Sequence, residues 1–376
     1  MKNNNIESIQ LLRGIAALMV VFGHNRSLLG DINSGSFMDY LTLNAAFGVE
    51  IFFIISGFII AYSTKRLLSY PIVDFTIKRF FRVYPLYFMV FSLFIMVIGY
   101  NSSSGTWLGP EFSLTNVLKS YLLLPLDPNN IAPYYGWGTL VVSWTLGYEV
   151  YFYLLFALSM ALSKKYRSYL CALLLVAGYL LGCMLPGGQF TLDANSFTIA
   201  DIGAWRNIGF IFNPIVLDFV LGLMLAELYQ SKYSRLFHHK PTAVLMIPIF
   251  IICILFWLTG YRAGQGITHS AVIALALIVA LLTMEHALKL TLPSVLVNIG
   301  AYSYSLYLIH VPVLKFIQIH GDRLPGLPAN EGIVKYIYSI SLSISLSIIL
   351  YYFVEQRLIK FARNICRRIE NSSQPG

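Results

Sequence analysis

Apolar runs of about twenty residues recur from near residue 8 to residue 354, and the Lys and Arg collect in the short stretches between them. A helix of about twenty residues rises ~30 Å, the thickness of a bilayer's hydrocarbon core. The pattern therefore predicts an all-α, polytopic transmembrane helical bundle. Composition agrees, because 57% of the 376 residues are hydrophobic and 11% charged, with mean hydropathy +0.69, whereas soluble domains carry about 25% charged residues. Ten spans are expected, over 8–28, 43–62, 83–100, 140–161, 168–185, 207–229, 241–259, 267–284, 296–318 and 333–354.

The distribution of positive charge sets the orientation. Nineteen of the twenty-six Lys and Arg lie in the loops after the second, fourth, sixth and eighth spans, in the C-terminal tail, or at Lys2 and Arg13. Both termini are therefore expected in the cytoplasm. Residues 1–376 read as one membrane domain, with a long external loop at 101–139 and a basic cytoplasmic tail at 355–376. The loop is rich in Gly, Pro and Tyr, as in PYYGWG from Pro133 to Gly138, and its apolar piece at Leu122 to Leu124 suits a re-entrant or interfacial segment. A second external stretch, Pro186 to Arg206, is expected to share the same outer vestibule. The first apolar run follows Lys2 but is too long for a signal peptide and lacks a small-residue cleavage pattern, so it reads as a retained span. The net charge of +9 has no basic soluble face behind it, which argues against a nucleic-acid partner. The four cysteines are scattered, with neither metal-ligand nor disulfide spacing, and no transporter-like internal repeat is visible.

Polar residues inside such spans are costly and mark function by default. In RGIAALMVVFGH, Arg13 and His24 stand eleven residues apart, on one helix face and roughly 16 Å apart along the axis. Given the orientation, His24 lies roughly 6 Å below the outer end of its span, Glu50 roughly 10 Å, Glu149 roughly 13 Å and His310 roughly 12 Å. Four titratable groups thus share one layer in the outer half of the membrane. Two imidazoles and two carboxylates suit general acid–base chemistry, with a carboxylate fixing the imidazole tautomer; the same set also suits proton or cation binding in a transporter. Each taken singly is equally a structural hydrogen-bonding residue. In FTIKRFFRVYPLYF, Arg79 and Arg82 are three residues apart and share a helix face, an arrangement suited to phosphate, though ordinary positive-inside charge gives the same pattern. Pro85 is expected to kink or start that span.

These residues carry a resemblance. The chain resembles the acyltransferase-3 family of integral membrane O-acyltransferases. Arg13 and His24 match its first-helix pattern, FGVEIFFIISGF resembles its second-helix signature with Glu50 where Asp is common, and Arg79 and Arg82 match its RxxR motif. SWTLGYE, from Ser143 to Glu149, resembles its W-S-L-x-x-E element with Thr145 in place of Ser. SYSLYLIH and FVEQRL, around Glu355, are similar to its late-helix signatures. The likeness runs from about residue 8 to 360, and WTLGYEVYFYLLF is most similar to members that modify exopolysaccharide or other surface glycans.

The resemblance implies transfer of an acyl group, usually acetyl, from cytoplasmic acyl-CoA to a carbohydrate hydroxyl, in a bacterial inner membrane. Acetyl-CoA is then the donor and co-substrate, with no metal. Arg79 and Arg82, assisted by Arg13, would hold its phosphates. His24 would act as general base or as nucleophile, and Glu149 or Glu50 would orient it, with His310 in the same layer. The competing readings are a proton-coupled transporter or flippase of a glycan or lipid-linked sugar, and a glycan polymerase whose long external loop carries the chemistry. Labelled acetyl-CoA separates the enzyme from the transporter.

Overall fold

The computed structural model describes residues 6–65, 70–101, 106–107, 109–200, 203–324, 326–328 and 330–372. Lys2 and Arg66 of the charge count, residues 102–105 and 108 of the long loop, 201–202 of the second external stretch and 373–376 of the tail lie outside them, as does the side chain of Arg206.

Helices form where the apolar runs predict them. They are α1 (Glu7–His24), α2 (Phe37–Leu43), α3 (Phe47–Ser63), α4 (Pro71–Phe94), α5 (Leu114–Tyr121), α6 (Ser143–Leu162), α7 (Arg167–Met184) and α8 (Leu217–Gln230). The chain continues through α9 (Lys240–Thr259), α10 (Val272–Leu288), α11 (Ser294–Ala301), α12 (Ser303–His320), α13 (Ile333–Leu350) and α14 (Gln356–Asn371). The only sheet among the described residues is a two-residue antiparallel ladder, Tyr100–Asn101 against Thr106–Trp107. By length and apolarity six helices are long enough to cross a membrane, or up to eight if two bent pairs each count as one span. Both remaining spans of the expected ten, α1 and α12, carry intramembrane polar residues, Arg13 and His24 in one and His310 in the other.

Several spans differ from the plain apolar-run reading. The span expected at 83–100 belongs to a helix that already starts at Pro71, where a missing N–H costs nothing, and Pro85 lies within it without ending it. Arg79 and Arg82 are consequently two turns inside a continuous helix rather than in a loop before it. The ninth expected span is broken at Tyr302 between α11 and α12. The tenth does not stop at 354: a wide turn over Tyr351–Glu355 hands it to α14, whose basic residues lie along one more helix. The long loop expected at 101–139 contains α5, whose Leu114 and Leu118, with the adjoining Leu122, are exposed as in an interfacial helix.

Without water to drive apolar association, helices in a bilayer pack by close approach at small residues. Here α3 crosses α8 at a reciprocal pair of glycines. A Cβ on Gly57 would strike the Phe219 carbonyl, and one on Gly222 would strike the Ile54 carbonyl. Similarly, Gly14 of α1 lies against the backbone at Leu296 and Gly300, and Gly300 lies against Gln10. With Gly48 of α3 against the Ala16 carbonyl of α1, these contacts join α1, α3, α8 and α11, while α9 buries only Ala243 and Cys253. The N–H groups that begin α1 are capped from α10, where the Glu285 carboxylate accepts from Glu7 N at 3.0 Å and Ser8 N at 3.1 Å. Gly222→Ala is expected to lower stability by about 1–3 kcal/mol, the usual cost of overpacking, read as a lower thermal midpoint in detergent. An unchanged midpoint would show that the crossing has room to spare.

Candidate active site

His24 is the last residue of α1 and His310 lies mid-way along α12. Their rings are stacked, with centroids 5.1 Å apart, and His24 Nδ1 lies 2.9 Å from His310 Nε2. The network assigns the protons. His310 Nδ1 faces the Leu306 carbonyl at 3.1 Å, and a carbonyl only accepts, so Nδ1 carries the hydrogen. Neutral His310 then accepts at Nε2 from His24 Nδ1–H, and His24 is left with a free lone pair at Nε2. His310 is fully buried, whereas His24 is ringed by protein but exposed at its surface. The next residue keeps this helix end in place: buried Asn25 donates to Val21 O at 2.8 Å and accepts from Ser339 of α13 at 2.5 Å.

Arg13, Arg79, Arg82 and Glu149 meet in a different place, a cavity of about 600 Å³. Residues of α1, α3, α4, α6, α11, α12 and α14 line it. Arg13 donates to Ser303 Oγ at 3.1 Å and lies 3.4 Å from Gln10 Oε1. Arg82 forms a close ion pair with Glu355 Oε1 and lies over the Tyr304 ring, while Ser305 donates to the other Glu355 oxygen at 2.5 Å. Arg79 lies over the rings of Phe75 and Tyr153, and its Nε has no hydrogen-bond partner. Glu149 accepts from Ser56 Oγ at 3.3 Å and from the Tyr153 hydroxyl. The two arginines of the RxxR spacing thus differ, since Arg82 is committed to a carboxylate and Arg79 is not.

The expected convergence of Glu50, Glu149, His24 and His310 takes another form. The hydrogen-bond partner of His24 is His310, and neither carboxylate is bonded to it. Glu149 faces the cavity, separated from the histidines by Tyr307, which lines the cavity and whose ring centroid lies 6.0 Å from that of His310. Glu50 belongs to neither group: fully buried, it accepts from Gly266 N at 3.2 Å and has the equally buried Asp218 of α8 as a neighbour, while its other oxygen and both oxygens of Asp218 have no hydrogen-bond partner among the described residues. Equal depth along separate helices fixed no lateral distance, which explains the difference.

The two long connections, 101–139 and 186–206, pack on one another. Asn213 donates to the Tyr135 hydroxyl at 3.2 Å and to Ala194 O at 3.0 Å, tying the long loop to the 186–206 stretch. Tyr135, Gly136 and Trp137 all take left-handed backbone (φ 48°, 77° and 56°), an arrangement that L residues other than Gly adopt at a cost. It presents Trp137 stacked on Tyr134 at 5.2 Å, with Tyr134 edge-on to Trp144 at 4.9 Å. Asp193, in the second stretch, is held below the usual carboxylate range. Its partial burial opposes this and is outweighed by the Asn195 N–H, the Ser196 hydroxyl and the His269 ring.

The sequence profile of the acyltransferase domain family matches residues 6–352, nearly the whole chain. The chain belongs to the acyltransferase-3 family. Similar proteins include the exopolysaccharide production protein ExoZ of Rhizobium meliloti strain 1021, 27% identical over 334 residues that cover 86% of this chain and 92% of that one. The acyltransferase MdmB of Streptomyces mycarofaciens is 28% identical over 348 residues, covering 85% and 81%. Nodulation protein 10 of Rhizobium leguminosarum bv. viciae is 27% identical over 320 residues, covering 82% of each chain. No solved structure matches the chain. The acyltransferase-3 protein is accordingly a multi-pass membrane enzyme that transfers acyl groups from a donor co-substrate.

Sequence reasoning named Glu355 only as part of a family signature and missed Asp218 as the buried neighbour of Glu50 and Tyr153 and Ser303 as the partners of Glu149 and Arg13. Tyr153 carried a signal, standing one helical turn after Glu149; Asp218 in an apolar run carried another. Removing one member of a buried ion pair strands the other. Glu355→Ala is therefore expected to destabilise the acyltransferase-3 protein by about 3–5 kcal/mol. The double variant with Arg82→Ala should lose less than the sum of the singles. Additive losses in thermal unfolding would show that the pair does not couple.

Proposed function

We propose that the enzyme moves an acyl group, acetyl by default, from cytoplasmic acyl-CoA to a hydroxyl of a surface or exported carbohydrate, in the inner membrane of a bacterium. The observation that carries this reading is the exposed His24 with its free Nε2 lone pair, backed by buried His310, beside a separate arginine-lined cavity. Positive-inside charge supports a cytoplasmic mouth for that cavity. The family supports the acyl donor, the arginines suit its phosphates, and the likeness to a protein named for exopolysaccharide production supports the acceptor class. The tyrosines and tryptophans of the outer loops suit stacking on sugar rings.

In this reading the acceptor hydroxyl reaches His24 from the outer side, and the donor thioester reaches it from the cavity past Tyr307. His24 Nε2 takes the hydroxyl proton as the oxygen attacks the thioester carbonyl. The C–O ester bond forms, the C–S bond breaks, and the departing thiolate receives the proton from His24. His310 Nε2 keeps accepting from His24 Nδ1 throughout, so the ring is held in one orientation while it is charged. Glu149, on the cavity side, is a donor-site group here rather than the partner of His24.

Membranes given labelled acetyl-CoA are expected to transfer label to surface polysaccharide, and His24→Ala is expected to lower that rate by about 10²- to 10⁴-fold, the usual worth of a positioned general base. Translocation of glycan without label would instead support a transporter, and full activity in His24→Ala would remove the histidine from the mechanism. Arg79→Ala is expected to raise the KM for acetyl-CoA about tenfold or more, the loss of a charge-assisted hydrogen bond. Unchanged donor binding in that variant would rule out its phosphate role.

A further inference from the structure

The family match ends at residue 352, yet the cavity wall does not. Ile359 and Arg363 of α14 line the same cavity as Arg13, Arg79 and Arg82. The helix is held there by its pairing with α4, which runs antiparallel to it. Arg82 meets Glu355, Phe81 packs edge-on against Phe361 at 5.3 Å, and Cys366 Sγ lies 3.9 Å from Asp74 O. Moving out along α14 from Glu355 therefore means moving back along α4 from Arg82, past Arg79, toward the basic end of the bundle. Arg363 is eight residues beyond Glu355, about 12 Å along the helix, and so stands nearer the mouth than Arg79.

The four cavity arginines divide by what they hold. Arg82 is neutralised by Glu355, and Arg13 is bonded to Ser303 with Gln10 nearby. Arg79 has only ring contacts, and Arg363 has neither hydrogen bond nor ion pair among the described residues. The carboxylates of Glu7 and Glu149 also line the cavity and oppose an anion, but with Arg82 matched by Glu355, Arg13, Arg79 and Arg363 still exceed these two. The two open guanidiniums lie at different depths, so they suit a ligand with two separate phosphate groups. An acyl-CoA donor has that form, a diphosphate joined to the pantetheine arm and a lone phosphomonoester on the ribose 3′ position.

We infer that Arg363, supplied by the helix outside the family-matched region, binds the 3′-phosphate of the donor at the cavity mouth while Arg79 binds the diphosphate deeper in. This rests on the acyl-CoA reading above and adds a specificity to it, since a donor lacking the 3′-phosphate loses one of the two anchors.

The test measures equilibrium binding of acetyl-CoA and 3′-dephospho-acetyl-CoA to the full chain in lipid nanodiscs. The unaltered protein is expected to prefer acetyl-CoA by about ten- to a hundredfold, the worth of a charge-assisted contact. Arg363→Gln should bring that ratio close to one by weakening acetyl-CoA alone, and Arg363→Lys, which keeps the charge, should retain part of it. Arg357→Gln, on the same helix but off the cavity wall, should keep the full ratio. The proposal is overturned by a full ratio in Arg363→Gln, by equal weakening of both donors, or by a ratio near one in the unaltered protein that nonetheless binds both. Binding of neither donor by the unaltered protein would overturn the acyl-CoA reading itself, an outcome distinct from the other three.

Discussion

The hydrocarbon core of a bilayer supplies no water, so a polar group placed there must find its partner within the protein or lose free energy. The arrangement of this chain follows from that one constraint. Arg82 is matched by Glu355, 273 residues further along, His24 by His310 across 286 residues, and Arg13 by Ser303 across 290. Asn25 is matched by Ser339 across 314 residues. Each pairing joins an early helix to a late one, and together they bring α1 and α4 against α12, α13 and α14. The glycine crossing of α3 with α8 then brings in the middle of the chain.

Satisfying these groups also sets the arginine-lined cavity apart from the histidine pair. On one side of Tyr307, arginines and Glu149 surround open space; on the other, two imidazoles stack with one lone pair free at His24 Nε2. Tyr307 is itself pinned, lying 2.7 Å from Thr145 Oγ1 and bonded to Val142 O at 3.1 Å. Thr145, which stands where Ser is expected in the SWTLGYE element, thus helps hold the Tyr307 ring between the cavity and the histidine pair.

Much of this was legible along the chain. Apolar runs located the helices, because the cost of exposing backbone to lipid leaves no other use for twenty such residues. Arg79 and Arg82 were marked by their three-residue spacing, and both do face the same cavity. Glu50 shows where reading along the chain stops. Its depth resembles that of Glu149 and His310, but depth is a coordinate along one helix axis, and its true neighbours, Gly266 in a connection and Asp218 on α8, come from segments whose lateral positions no run of residues encodes. Glu355 was similarly invisible as a partner, since only the antiparallel packing of α14 on α4 brings it to Arg82.

The sequence by itself determined that the chain is a multi-pass helical membrane protein of the acyltransferase-3 family, and which buried polar residues deserved notice. Those properties are written locally, in hydropathy, charge placement and motif spacing. Only the tertiary structure decided that His24 leans on His310 rather than on a carboxylate, that Arg82 is already neutralised while Arg79 is open, and that Arg363 completes the cavity wall. Hydrogen bonds and ion pairs act over about 3 Å, and which groups come that close depends on how the helices are set beside one another.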